Sequence, residues 1–280
     1  MLSKFSPAAS RHHPGLKAHE RAQFETDLRI AVSLGQFGIS WQPIVACQTG
    51  ALYGFEALLR WDRPGHGPVS PAVFVPVAES IGLHQQLDSW VLSRACAEAA
   101  DWPTPLRLAV NISAGWMQSN ELSRTVEACL RATKLNPARL ELEMTERVFI
   151  DTAGFVQAEL AYLRAMGVSI ALDDFGTGFS SLSYLRTIAF DKLKLDRAFV
   201  EALGTCRRTE VIVRSMVQLS NSLGMMVCAE GVERESQLGI LQAYECNEVQ
   251  GYLIGRPGSI NSDTFMTYGR LEKSDMFAPT

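Results

Sequence analysis

The alternation of short apolar runs with helical segments constrains this chain more than any other feature. Runs with strand character occupy 106–112, 140–144, 168–172, 192–195, 225–229 and 248–253. Segments with helical spacing of apolar residues follow them in turn, near 120–133, 152–166, 180–187, 207–223, 233–243 and 262–271. Strands that alternate with helices build a parallel sheet, because each helix returns the chain to the end where the next strand must start. Upstream, two further runs at 39–46 and 52–60 are joined only by Cys47, Gln48, Thr49 and Gly50, a connection short enough for an antiparallel hairpin. A Gly/Pro-rich loop at 62–70 and helices at 71–80 and 84–100 link this hairpin to the alternating part, and a helix at 20–34 precedes it. Eight strands in this order favour an α/β fold of the (β/α)8 TIM-like barrel type over an open doubly wound sheet. The N-terminal hairpin then contributes one antiparallel strand.

The chain has 280 residues, 47% hydrophobic and 20% charged, which suits one such barrel of roughly 250 residues with short extensions. The expected division is a tail or linker at 1–19, the barrel at 20–272 and a C-terminal tail at 273–280. A chain opening in a linker suits a module fused to something larger. With 26 basic and 30 acidic residues the net charge is −4, and no basic stripe marks a DNA-binding surface. No polybasic run suggests contact with an anionic membrane, and no apolar run approaches the ~18 residues of a membrane span. The first residues lack the apolar core of a secretory signal. Cys47, Cys96, Cys129, Cys206, Cys228 and Cys246 form no CxxC pair and read as buried reduced thiols. A cytoplasmic domain is expected.

Polar residues gather at one end of nearly every run. Glu56 and Arg60 fall in YGFEALLRW, Asn111 ends LRLAVN, and Glu143 and Glu146 close LELEMTE. Asp173 and Asp174 end SIALDD, Lys194 and Asp196 lie in KLKLD, Glu230 and Glu233 close MMVCAEGVE, and Gln250 falls in EVQGY. In a parallel barrel the carboxyl ends of all strands meet on one face, where active sites are built. A single acid at a strand end is commonly a helix cap. Six strands behaving alike point to one shared cavity.

The adjacent pair Asp173 and Asp174 precedes Phe175, Gly176, Thr177 and Gly178, and a strand end entering such a turn can aim both acids at one point. Acids converging this way repel strongly unless a cation intervenes. Glu56, Glu143, Asp173, Asp174 and Glu230 set against Lys194 leave four negative charges, which two divalent cations balance. All-oxygen donors, with the Asn111 amide, favour magnesium or manganese. His12, His13, His19, His66 and His84 lie outside the strand ends, so a histidine-rich zinc site is not expected. A two-cation carboxylate site suits in-line displacement at phosphorus. Arg60 then reads as a phosphate ligand or, alternatively, a salt bridge at the rim. Lys194 reads as positioning an attacking water or as a structural partner of Asp196.

The strings EALLRW, DDFGTG, KLKLD, AEGVE and QGY, in this order and spacing, resemble an EAL-domain cyclic di-GMP phosphodiesterase over about residues 20–270. The resemblance implies a barrel with one antiparallel strand and hydrolysis of cyclic di-GMP to linear pGpG, a water attacking phosphorus and a ribose 3′ oxygen leaving. It implies that Glu56, Asn111, Glu143, Asp173, Asp174 and Glu230 bind two magnesium or manganese ions, Asp173 bridging them. Lys194 would hold the attacking water. Gln42, Leu58, Arg60 and Gln250 would contact the dinucleotide. Glu146 would anchor the loop DDFGTGFSSL and couple cation binding to a homodimer, with Asp196 and Glu233 as supporting acids. Trp41 and Phe179 stand where tyrosine is common. A sensor or cyclase module upstream often regulates such domains. The alternative within the same resemblance is a cyclic di-GMP receptor with little turnover.

Overall fold

The computed structural model describes residues 18–103, 105–117, 119, 121–149, 153–175, 185, 187–261, 264–265, 267–268 and 275–277. The first strand, β1 (Phe37–Ala46), turns through Cys47–Gly50 into β2 (Leu52–Arg63), pairing antiparallel from Phe37 opposite Trp61 to Val45 opposite Leu52. A short strand, β3 (Gly67–Val69), folds back on the outer part of β2. Part of the expected 62–70 loop is therefore strand. Gly65 and Gly67, both at positive φ, supply the tight reversal that lets this extension pair.

Strands β4 (Arg107–Asn111), β5 (Leu140–Thr145), β6 (Ser169–Phe175), β7 (Lys192–Leu195), β8 (Met226–Ala229) and β9 (Glu248–Val249) follow. Each is parallel to its neighbour, β2 beside β4 and then on in order to β9. The ring closes because β1 also pairs with β9, antiparallel, through Val45 opposite Val249. The fold is thus a closed eight-stranded α/β barrel with β1 as its antiparallel member and β3 attached outside.

Strand β9 is shorter than expected from 248–253. At Gly251 the chain leaves the strand and runs against Val232, so closely that a Cβ at 251 would overlap the Val232 backbone. Val232 N–H donates to the Gln250 carbonyl (3.0 Å) and Leu253 N–H to the Val232 carbonyl (3.0 Å).

Helices Ala18–Leu34, Pro71–Ser80, His84–Ala100, Leu122–Thr133, Ala153–Ala165, Arg207–Ser222 and Glu235–Ala243 match the expected segments within a few residues. A short helix at Ala114–Met117 was not anticipated. Apart from residues 185 and 187, which are helical, the expected helix at 180–187 lies outside the described residues, as do parts of the helix expected at 262–271 and of the tails expected at 1–19 and 273–280. Among the described residues no helix is long and apolar enough to cross a membrane.

The main core lies between barrel and helices, where Leu108, Leu142, Ile170, Leu193 and Val227 meet Leu92, Val126, Leu160, Val213 and Leu238. A second core seats the first helix: Phe24 and Phe74 pack edge-on to Trp61, ring centroids 5.3 and 5.7 Å away. Five of the six cysteines are buried, Cys206 being partly exposed.

Strand alternation sends every second residue inward. On β5, β7 and β9 the inward positions Glu141, Lys192 and Glu248 form one buried charged layer, and Ile44, Ala109 and Cys228 form a small apolar cluster. Two residues further along each strand come Glu143, Lys194 and Gln250. The lower charged layer was not anticipated.

Candidate active site

The barrel mouth is assembled by period-two arithmetic. Asn111 lies two residues after Ala109, Glu143 after Glu141, Asp173 after Ala171, Lys194 after Lys192, Glu230 after Cys228 and Gln250 after Glu248. Strand register staggers these positions around the mouth: Asn111 pairs with Glu143, but Glu143 pairs with Ala171, two residues before Asp173, and Lys194 with Cys228, two before Glu230. Because each precedes a loop, the strand backbone holds the Cα while the side chain is released into the cavity.

Lys194 is the hub, 1% exposed. Its Nζ lies 2.7 Å from Glu143 Oε2 and 2.6 Å from Glu230 Oε1, with Glu56 Oε2 and Asp173 Oδ1 each at 3.7 Å. Glu56 accepts from Asn111 Nδ2 at one oxygen and from Gln250 Nε2 at the other, both at 2.7 Å. Seven residues from seven strands or their ends therefore converge, as expected from the sequence. Lys194 pairs with these distant carboxylates and not with Asp196, its alternative local partner. Asp196 instead caps the helix Arg197–Glu201, accepting from Ala198 N–H at 2.8 Å.

A backbone irregularity shapes the DD pair. The β6–β7 register shifts between Leu172 and Phe175, and Asp174 adopts φ +55. Left-handed backbone costs an ordinary residue about 1 kcal/mol, and Asp is among the types that tolerate it. The Asp174 N–H donates to Asp173 Oδ1 at 2.9 Å, so the two adjacent acids are locked into one turn.

A cavity of about 250 Å³ opens over this cluster, lined by Gln42, Glu56, Leu58, Asp173, Arg197, Glu230, Glu233, Gln250 and Tyr252. Gln42 donates weakly to the Gly255 carbonyl (3.5 Å). Arg60 stands beside the cavity: its guanidinium donates to the Leu59 carbonyl at 2.9 Å and feels the Glu56 charge. Glu233 pairs with Arg197 at 3.0 Å. Glu146 is buried at the start of the turn Glu146–Phe149, whereas residues 176–184, including Phe179, lie outside the described residues. Arg197, Tyr252 and Arg256, whose guanidinium lies 4.2 Å over the Tyr252 ring, were not picked out from the sequence. Tyr252 stood in the QGY string; Arg197 carried no local signal, since a basic residue opening a helix is ordinary.

The electrostatics are those of an acid cluster short of positive charge. Burial pushes Glu143 well above the usual carboxylate range and raises Asp173, with Lys194 opposing in both. Burial also pushes Glu230 up to about 8. Burial would raise Glu56 too, but Lys194 and the bonds from Gln250 and Asn111 hold it below its ordinary value. Burial acts to lower Lys194, and the surrounding carboxylates overcome it, so the ammonium is retained. Glu143 Oε1 and Gln250 Oε1 are buried without a hydrogen-bond partner. Among the described residues no three acidic, histidine or cysteine side chains are grouped as a closed coordination shell; the acids are spread around the ammonium. The donor chemistry nevertheless fits hard cations: every group is oxygen, and the net charge is strongly negative.

A family model of the EAL domain matches residues 25–257. A signalling protein of Caulobacter vibrioides is 44% identical over 248 residues, 89% of this chain and 31% of that protein. Cyclic di-GMP phosphodiesterase PA2567 of Pseudomonas aeruginosa is 37% identical over 254 residues, 89% of this chain and 43% of that protein. Among solved structures, the PaMucR phosphodiesterase in its c-di-GMP complex superposes with TM-score 0.81 at 39% identity, covering 86% of this chain and 99% of that one. The chain therefore spans less than half the length of these two curated relatives. A family match running from the first helix past the last strand, over a barrel whose strand ends gather these acids, means that the chain belongs to the EAL domain family.

Proposed function

We propose that this domain hydrolyses cyclic di-GMP to linear pGpG by water attack at phosphorus, using two divalent cations, magnesium or manganese. The observation that carries the proposal is the enclosure of Lys194 by Glu56, Glu143, Asp173 and Glu230 beneath an open cavity. One ammonium cannot neutralise that many buried carboxylates, and the unpartnered Glu143 Oε1 is a donor with nothing to bind. Glu56, Asn111, Glu143, Asp173, Asp174 and Glu230 would hold the cations. When bound, the two cations supply Lewis acidity that ionises water near neutral pH and offsets phosphate charge.

The chain's own residues do the rest. Asn111 and Gln250 donate to the two oxygens of Glu56 and so fix the orientation of that carboxylate. Lys194, kept as an ammonium, donates to the attacking water and orients it. Arg60 binds a phosphate oxygen, while Gln42, Leu58 and Gln250 contact the dinucleotide. Water adds to phosphorus, the bond to the ribose 3′ oxygen breaks, and that oxygen leaves as a hydroxyl after taking up the proton. Glu146 supports the DDFGTGFSSL loop, and Asp196 and Glu233 support the rim.

The domain works in the cytoplasm as a homodimer, regulated by a sensor or cyclase module. The exposed apolar residues Val211 and Ile212 on helix Arg207–Ser222 support a homodimer. The length of the relatives beyond the matched part supports a further module.

The test is hydrolysis of cyclic di-GMP with magnesium, manganese, calcium or chelator, for the wild type and for Glu56→Ala. Linear pGpG with magnesium or manganese only, lost in the variant, is the expected result. Tight binding with no product under any cation would make the domain a receptor and overturn the enzymatic reading.

A further inference from the structure

The turn that follows Asn111 is held from outside the barrel. Helix His84–Ala100 runs beside β4, and Asp88 in its second turn accepts the Ser113 N–H at Oδ2, 2.8 Å away across 25 residues of sequence. The Ser113 hydroxyl bonds the same carboxylate. One turn earlier, the His84 imidazole lies so close to Gly115 that a Cβ there would overlap it. On the inner side, the Ile112 N–H donates to the Glu143 carbonyl at 2.8 Å. Asn111 itself is solvent-exposed at the mouth, so its own packing does little to hold it. Its side chain points at Glu56 because the backbone on either side is fixed.

Among the described residues no cation pairs with Asp88, and burial pushes its pKa up to about 6. A buried carboxylate facing no positive charge is costly, and a cost of this kind is commonly found where function requires it.

We infer that Asp88 is a positioning residue for Asn111: by clamping Ser113 it sets the amide that orients Glu56 and completes the oxygen donor set. The inference rests on the reading of Asn111 as a cation ligand. Groups that orient metal ligands typically change affinity by about 10–100-fold when removed.

The experiment uses the full chain as wild type, Asp88→Ala, Asp88→Asn and Asn111→Ala. Manganese binding is followed by electron paramagnetic resonance, the Asn111 side-chain amide by NMR in chelator, and folding by thermal melting. Asp88→Ala should weaken manganese binding about 10-fold or more, as Asn111→Ala does. Asp88→Asn, which keeps an acceptor for Ser113, should restore it to within about threefold, far inside that range. The Asn111 side-chain resonances should shift in Asp88→Ala and stay in place in Asp88→Asn.

If Asp88→Ala does not fold, Asp88→Leu, of similar shape but without an acceptor, replaces it. Wild-type manganese affinity in Asp88→Ala beside a weakened Asn111→Ala would overturn the inference, as would equal weakening in Asp88→Ala and Asp88→Asn. If even the wild type binds no manganese, the cation reading fails by itself. The NMR comparison then decides on Asp88: unmoved Asn111 resonances in Asp88→Ala overturn the clamp, and shifted ones support it.

Discussion

Replacing Lys192 by Met probes the charged layer below the site without touching the site itself. Lys192 Nζ lies 2.8 Å from Glu141 Oε1 and 2.6 Å from Glu248 Oε2, and all three side chains are at most 2% exposed. Glu141 Oε2 and Glu248 Oε1 have no hydrogen-bond partner, so the ammonium is what compensates these charges. Met fills a similar volume and removes that compensation. Leaving buried charge unpaired costs about 3–5 kcal/mol, a large part of the 5–15 kcal/mol typical of a whole domain. At roughly 2–4 °C per kcal/mol for a domain of this size, melting should fall by about 6–20 °C.

The pH dependence has a definite sign. Burial pushes Glu248 up to about 6, Lys192 opposing. A carboxylate with a raised folded pKa binds more protons folded than unfolded, so its contribution to stability is present at low pH and lost as pH rises through the folded value. Removing Lys192 takes away that opposition and raises Glu248 further. The deficit of Lys192→Met should therefore be largest at pH 8 and shrink by pH 5.5. Denaturant unfolding of wild type and variant at both values measures this. The triple variant Glu141→Gln, Lys192→Met, Glu248→Gln carries no charge in the layer and should recover most of the loss. A variant within about 1 kcal/mol of wild type at pH 8, well under the cost of a broken buried pair, would refute the reasoning. So would a deficit that ignores pH.

Two further outcomes follow from the site. Lys194→Met should lower kcat for cyclic di-GMP by about 10²–10³-fold, in the range seen when a preorganised donor is removed, while binding measured in calcium survives; unchanged turnover would remove Lys194 from the mechanism. Gly231 sits at φ +68 with the Arg197 stem where a Cβ would go, so Gly231→Ala should cost at least about 1 kcal/mol in unfolding free energy and displace Arg197 from Glu233; an unchanged melting temperature contradicts this.

Much of the site was legible because a strand has a fixed period. Once SIALDD and KLKL are read as strands of one parallel barrel, Asp173 and Lys194 must face the same interior near the same end. The lower layer obeyed the same rule: LELE and KLK place Glu141 and Lys192 two residues before Glu143 and Lys194. It lies below the strand ends and so carries no mark of a shared mouth, and Glu248 completes it from a strand 56 residues beyond Lys192.

Other features depended on contacts that no local pattern carries. Asp196 lies two residues from Lys194 and is its alternative local partner, yet it turns to Ala198, because a residue opening a helix finds unpaired N–H groups at once. The end of β9 at Val249 depends on Val232 lying against Gly251, and the left-handed Asp174 on the register shift between β6 and β7.

The sequence by itself determined the eight strands, the antiparallel start and which acids face the mouth, since these follow from alternation and chain order. Only the tertiary structure decided that one ammonium stands among four carboxylates, that Asn111 and Gln250 clasp Glu56, and that Asp88 grips Ser113. Those pairings join residues 21 to 194 positions apart, and their distances are set by the closure of the barrel as a whole.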